Sequence, residues 1–285
     1  MTPDPIHRIL ANARARLTAA GISDTEASVE VDLYARTILG WDRARLLSEQ
    51  QLPAPDRLEP TFSEWITRRE RREPSAYIVG HREFWGLELT VTPDVLIPRP
   101  ETEFIVEEAV MLLRQSREPH VADIGTGSGC IAIATASELP GARFVATDVS
   151  SSALDVARLN ATRHHVGDRI EFVATSYLNG VDHTFDLITA NPPYVRDGDK
   201  PGLSRDVRHE PDVALFGGTE GLRDIAGVLD AAVTRLRTGG WLVMEFGFGQ
   251  EAAVEALVQQ RPALRLERVR ADLQGIPRTA IIQRR

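Results

Sequence analysis

Apolar residues in the first seventy positions recur at helical spacing. Ile6, Ile9, Leu10, Ala13 and Leu17 line one face of a first helix, and Ala27, Val31, Tyr34, Ile38 and Leu39 one face of a second. Ser23 and Asp24 precede the second run, with Glu26 placed as in a capping box, so a helix start is predicted there; Gly40 is placed to end it. A third helix is predicted near 61–72. It closes in the charge run RRERR before Pro74, which reads as a solvated helix end, with partner contact the other reading.

The pattern changes near residue 75. Residues 76–100, AYIVGHREFWGLELTVTPDVLIPRP, alternate apolar and polar and carry several turn residues, which predicts a β-hairpin connector leading into Pro98-Arg99-Pro100. Strands are then expected at 120–124, 143–148, 169–173, 184–190, 239–246, 264–269 and 278–283, with helices between most of them. That alternation argues an α/β domain with a largely parallel, doubly wound sheet. The expected organisation is a helical domain over 1–74, a hairpin linker over 75–100 and the α/β domain over 101–285.

Composition narrows the partners. The 285 residues carry a net charge of −8, so a basic nucleic-acid module is not favoured. Cys130 is the only cysteine, which excludes an internal disulfide and a cysteine-based zinc site. In its glycine-rich turn it reads as a small apolar residue, with a catalytic thiol the lesser reading. The histidines (His7, His81, His120, His164, His165, His183, His209) have no metal-helix spacing with a nearby acid, so no metal is expected. The segment MTPDPIHRILANARARL has no apolar core long enough for a signal peptide, and no stretch approaches a membrane span; the expected location is the cytoplasm.

Two loops carry candidate chemistry. The strand at 120–124 runs into Asp123-Ile124-Gly125-Thr126-Gly127-Ser128-Gly129, after which CIAIATASEL reads as a helix. Glycines let backbone N–H groups at a helix start lie against a ligand. The spacing is GxGxG, and Cys130 stands where a dinucleotide fingerprint has its last glycine. The next strand ends at Asp148, where an acid accepts hydrogen bonds from ribose hydroxyls; capping of the following helix is the competing reading. Together they indicate a nucleoside-bearing cofactor. Asp123 is placed to orient the loop, directly or towards a cofactor ammonium.

The second loop is Asn191-Pro192-Pro193-Tyr194, closing the apolar run FDLITA. If the cofactor is S-adenosylmethionine, a methyl acceptor of the planar –NH2 type needs its lone pair exposed. Hydrogen-bond acceptors for both of its N–H groups provide that. The Asn191 side-chain oxygen is one such acceptor and the Pro192 carbonyl the other. Proline fixes φ and adds no competing donor, and Pro193 biases Pro192 towards an extended conformation. Tyr194 is placed to pack its face on the acceptor. The motif does not by itself separate a glutamine amide from the exocyclic amine of adenine or cytosine, and a noncatalytic cofactor-binding module stands as a third class.

The segments FWGLELTVTPDVLIPRPETE, DIGTGSGCIAIA, NPPYV, VRHEPDVALFGGTEGL and ADLQGIPR, in this order and spacing, closely resemble the HemK/PrmC family of N5-glutamine methyltransferases of peptide chain release factors. Ribosomal-protein glutamine methyltransferases are close relatives, usually with a different pattern after IPR. The resemblance implies a Rossmann-like class I methyltransferase domain behind a small helical domain that helps bind the release factor. The implied substrate is the glutamine of the factor's GGQ motif, with no direct nucleic-acid partner, membrane or metal. It places the cofactor on Gly125, Thr126, Gly127, Ser128, Gly129 and Asp148, with Asp123, Tyr177 and Asn191 beside it, and the acceptor amide on Asn191, Pro192, Pro193 and Tyr194. Arg99, Pro100 and Thr102 are expected to border the cofactor pocket, with a structural ion pair the equal reading for Arg99. Ser176 departs from the family pattern, which often has an acid there, and Glu210 and Pro211 have no role readable from spacing.

Overall fold

The structure, a computed structural model, describes residues 4–285. Its chain forms two compact units: the residues up to Gly80 together with Ser204–His209, and His81–Leu203 together with Glu210–Arg285.

The first unit contains helices α1 (Ile6–Ala19), α2 (Asp24–Leu39), α3 (Arg43–Glu49), α4 (Glu59–Glu70) and α5 (Ser75–Val79). The predicted stripes meet in one core of Ile6, Leu10, Leu17, Val31, Tyr34, Leu39, Phe62 and Ile66. Ser23 caps α2, its Oγ accepting from the Glu26 N–H at 3.2 Å. The Glu26 carboxylate turns instead to Arg69, at 2.8 Å.

Arg69 corrects the reading of RRERR as a solvated end. Phe62, Ile66 and Arg69 continue one buried stripe of α4, and Arg69 is 1% exposed. Its guanidinium donates to Glu26, to Glu30 at 2.7 Å and to Asp206 at 2.9 Å. Arg72 donates to the same Asp206 at 2.7 Å, and Arg68 pairs with Glu73 at 2.5 Å. Of the four neighbouring arginines only Arg71 is exposed. Segment 75–79, expected to open the hairpin connector, is helical: Pro74 precedes it and Gly80, at φ 83°, ends it.

The second unit opens with the hairpin β1 (His81–Phe84) and β2 (Leu87–Thr90). Its two-residue loop is Trp85-Gly86, at φ 55° and 70°, the left-handed pair that a tight hairpin turn requires. Asn160 fixes this hairpin. Its side chain accepts from the Thr90 N–H at 2.7 Å and donates to the Thr90 and Ser128 carbonyls, both at 2.9 Å.

The chain continues through α6 (Glu103–Leu113), β3 (His120–Ile124), α7 (Cys130–Glu138), β4 (Arg143–Asp148), α8 (Ser151–Arg163), β5 (Ile170–Ala174) and β6 (Phe185–Ala190). It ends with α9 (Asp212–Leu215), α10 (Arg223–Arg235), β7 (Leu236–Glu245), α11 (Glu251–Gln259), β8 (Leu264–Ala271) and β9 (Pro277–Arg284). All seven predicted strands join one sheet in the order β5-β4-β3-β6-β7-β9-β8. Only β9 runs against the others. Alternation divides the strands between two cores: Ala122 and Ile124 pack with α10 and α11, while Val121 packs with α6 and α7.

Removing the Arg69 guanidinium strands three carboxylates around its buried place. We expect Arg69→Ala to destabilise the helical unit by about 3–5 kcal/mol, read as a lowered urea or thermal unfolding midpoint, whereas Arg71→Ala leaves the midpoint within error.

Candidate active site

Sheet register assembles the site. Ile124 on β3 lies opposite Thr147 on β4 and Ala190 on β6. The next residue of each strand, Gly125, Asp148 and Asn191, therefore emerges at the same carboxyl edge. The strand order reverses between β3 and β6, the place where open α/β sheets leave a crevice for ligands.

The glycine loop is held open by this neighbourhood. The N–H groups of Gly125 and Thr126 both donate to the Thr147 carbonyl at 2.9 Å, and Gly127 N–H donates to Asp148 Oδ2 at 2.9 Å. Gly125 and Gly127 have φ of 69° and 54°, and a Cβ on either would meet nothing within 4 Å. That space faces the crevice. Gly129 differs: a Cβ there would stand 2.8 Å from Ile133 and 3.2 Å from Ala157, so its bareness serves the packing of α7 on α8. Asp148 does not cap α8; Ser150 does, with its Oγ accepting from Ala153 N–H at 3.1 Å. The other oxygen of Asp148 accepts from Ser150 N–H at 2.9 Å.

A cavity of about 220 Å³ lies along this edge. Residues 125–128, Asp148, Ser176, Tyr177, Asn191, Pro192 and Pro193 are among the residues that form its walls. Arg99 and Thr102 border it too. Cys130 also reaches the wall; burial, and then Asp123, push its thiol up to about 12, so it stays protonated at neutral pH.

Four residues singled out from the sequence do not line the cavity: Pro100, Asp123, Gly129 and Tyr194. Asp123 is fully buried beneath the loop, accepting from Thr126 Oγ1 at 2.7 Å and Thr189 Oγ1 at 2.8 Å. Burial raises its carboxyl to about 6. It orients the loop through Thr126 and does not itself line the cavity. Tyr194 likewise is not a lining residue. Its ring packs against Gly247 and its hydroxyl donates to Glu245 Oε1 at 3.2 Å, which draws it inward instead of leaving it on the wall.

Tyr177 is held in the left-handed region, at φ 52°, where a bulky residue is strained. Three contacts hold it there. Thr147 Oγ1 donates to its carbonyl at 2.6 Å, its hydroxyl donates to Asp224 Oδ1 at 3.0 Å, and its ring lies where a Cβ on Gly227 would be.

The proline turn is braced by segments for which spacing gave no role. Val195 N–H donates to the Leu215 carbonyl and Gly217 N–H to the Val195 carbonyl, both at 2.9 Å. The backbone approach is so close that a Cβ on Gly217 would collide with the Pro193 carbonyl. Asn191 Nδ2 donates to Thr102 Oγ1 at 3.0 Å. Glu210, 4% exposed, accepts from Ile97 N–H at 3.1 Å and pairs with Arg99. Glu210 thus ties down the segment that supplies Val95, Leu96 and Pro98 to the cavity. Val213, Ala214, Asp224 and Val228 also line the cavity. No local sequence signal marked them.

The family model for the methyltransferase small domain matches residues 102–207, and that for the PrmC N-terminal domain matches residues 8–80. The release factor glutamine methyltransferase of Bradyrhizobium diazoefficiens is 40% identical over 268 residues, 93% of this chain and 90% of that protein. That of Moorella thermoacetica is 38% identical over 285 residues, 98% of this chain and 99% of that protein. Among solved structures, the hMettl16 catalytic domain in complex with an RNA hairpin superposes with a TM-score of 0.59 at 19% identity, covering 75% of this chain and 81% of that one. At that identity the likeness concerns the class I methyltransferase fold alone. With a glycine loop and an Asn-Pro-Pro-Tyr turn on adjacent strands of that fold, and relatives matched over nearly their full length, the chain belongs to the release factor glutamine methyltransferase family.

Proposed function

We propose that this protein transfers a methyl group from S-adenosylmethionine to the side-chain amide nitrogen (N5) of the glutamine in the GGQ motif of peptide chain release factors. One observation carries the reading: the Asn191 side chain, with its nitrogen committed to Thr102, borders the same cavity as the open glycine loop. Membership of the family argues for a glutamine amide over a nucleobase amine. The net charge of −8 agrees, since a nucleic-acid substrate would favour a basic face.

The residues present fit the cofactor. The two glycines leave a cradle that any side chain would fill, and Asp148 brings a carboxylate to the wall for the ribose hydroxyls. Ser176 and Tyr177 border the place for the base. Asp123 acts on the cofactor only through the loop it holds. Bound S-adenosylmethionine supplies an electrophilic methyl carbon on a sulfonium. The protein's part is orientation. Asn191 Oδ1 accepts one N–H of the glutamine amide and the Pro192 carbonyl accepts the other, which turns the nitrogen lone pair outward without a strong base. Alignment of this kind contributes about 7–11 kcal/mol to lowering a barrier. We assign to the helical unit the recognition of the protein substrate.

Incubation with labelled cofactor and purified release factor, followed by mass spectrometry, should place one methyl on the GGQ glutamine; a label elsewhere or none rejects the reading. Asn191→Ala should retain cofactor affinity and lose on the order of 10²-fold in kcat. Asp148→Ala should weaken cofactor binding by roughly 10- to 100-fold in calorimetry. Gly217→Ala, which displaces the Pro193 carbonyl, should lower kcat with little change in cofactor affinity. Whole release factor should show a much lower KM than a short GGQ peptide if the helical unit recognises it.

A further inference from the structure

Behind the acceptor turn lies a chain of hydrogen bonds that no part of the proposed reaction has used. Glu245, the last residue of β7, is 2% exposed, as is Thr102, which precedes α6. Thr102 Oγ1 lies 2.7 Å from Glu245 Oε2 and 3.0 Å from Asn191 Nδ2. The other oxygen of the same carboxylate accepts the Tyr194 hydroxyl at 3.2 Å.

We infer that Glu245 is a positioning residue which, through the single hydroxyl proton of Thr102, sets which end of the Asn191 amide faces the methyl acceptor. A carboxylate accepts and cannot donate, so the one proton of Thr102 is committed to Glu245. Thr102 then offers Asn191 only lone pairs. An amide oxygen turned towards those lone pairs would be repelled, whereas the amide nitrogen is bound. Asn191 Oδ1 is therefore left for the cavity side, where an incoming –NH2 group needs an acceptor. Which way an asparagine amide points is ordinarily ambiguous; a carboxylate at Glu245, two hydrogen bonds away, removes the ambiguity. The same anion anchors Tyr194, so the first and last residues of the turn share one reference point.

As the carboxylate that the inference requires, Glu245 is opposed by its own burial. Burial raises the pKa of Glu245, and Glu101 raises it further; the Thr102 and Tyr194 hydroxyls and Arg278 of β9 oppose that rise. A neutral group of the same shape would relieve the burial, but it would also reverse the polarity of the chain. A glutamine at 245 can donate its amide proton to Thr102, which frees the Thr102 proton for Asn191 Oδ1. The Asn191 amide would then turn its NH2 towards the cavity, a donor facing donors.

The inference depends on the proposed reaction for its kinetic readout, so a second readout is independent of turnover. Glu245→Gln should keep the unfolding midpoint and cofactor affinity of the parent protein while kcat falls by roughly 10- to 100-fold. Thr102→Val should behave alike, and Thr102→Ser, which restores the hydroxyl, should recover most of the lost kcat. By NMR, one side-chain Nδ2 proton of Asn191, assigned by its loss in Asn191→Ala, should be protected from exchange with water in the parent protein and in Thr102→Ser. That protection should vanish in Thr102→Val and Glu245→Gln. A Glu245→Gln protein with parental kcat, or with the Asn191 proton still protected, overturns the inference. A parent protein that methylates no glutamine overturns the proposed function instead, and the exchange data still decide the relay.

Discussion

The parallel pairing of β3 with β6 is the constraint on which the site depends. Two loops sixty-odd residues apart in sequence can cooperate only because Ile124 lies opposite Ala190, so that both strands stop at the same level. A slip of one residue would turn alternate side chains to the other face of the sheet and separate the cores as well as the loops. The register is fixed from both faces: Val121 is committed to one apolar layer and Ala122 and Ile124 to the other. Precision at the edge is thus inherited from packing well below it.

Much of this was legible in the sequence because it is written locally. Apolar runs bounded by turn residues located all seven strands of the large sheet, and the glycine loop and the proline turn marked their ends. The short α3 was not anticipated, although Asp42 carries the signal: its side chain accepts from the Arg45 N–H at 2.7 Å. The stripe Phe62–Ile66–Arg69 could have revealed that Arg69 faces inward, but a run of arginines draws the reading towards solvent. Other residues are silent because their meaning lies in distant partners. Glu210 meets Ile97 across 113 residues, and Glu245 meets Thr102 across 143. Gly217 and Gly227 look like ordinary loop and helix residues until the Pro193 carbonyl and the Tyr177 ring are found where a Cβ would be.

Buried charge recurs in this protein with two different uses. Around Arg69 it is compensated, one guanidinium meeting three carboxylates, and its effect is to define packing among helices. Among the described residues no cation pairs with Asp123 or Glu245; hydroxyls bond to them instead. An anion solvated by hydroxyls dictates the direction of every proton it receives. That is a suitable foundation for loops that must offer acceptors on one side and backbone donors on the other.

The six residues 204–209 give the molecule an unusual heredity. The chain leaves the helical unit at Gly80, yet returns a short strip to it from the middle of the other unit, bringing Asp206 to Arg69 and Arg72. The helices are therefore not a cassette that recombination could exchange by cutting once near codon 80. A chimera built that way would marry the arginines of one lineage to the aspartate, or its replacement, of another. A replacement at Asp206 would take from the buried Arg69 guanidinium one of the three carboxylates it meets, and from Arg72 the same partner.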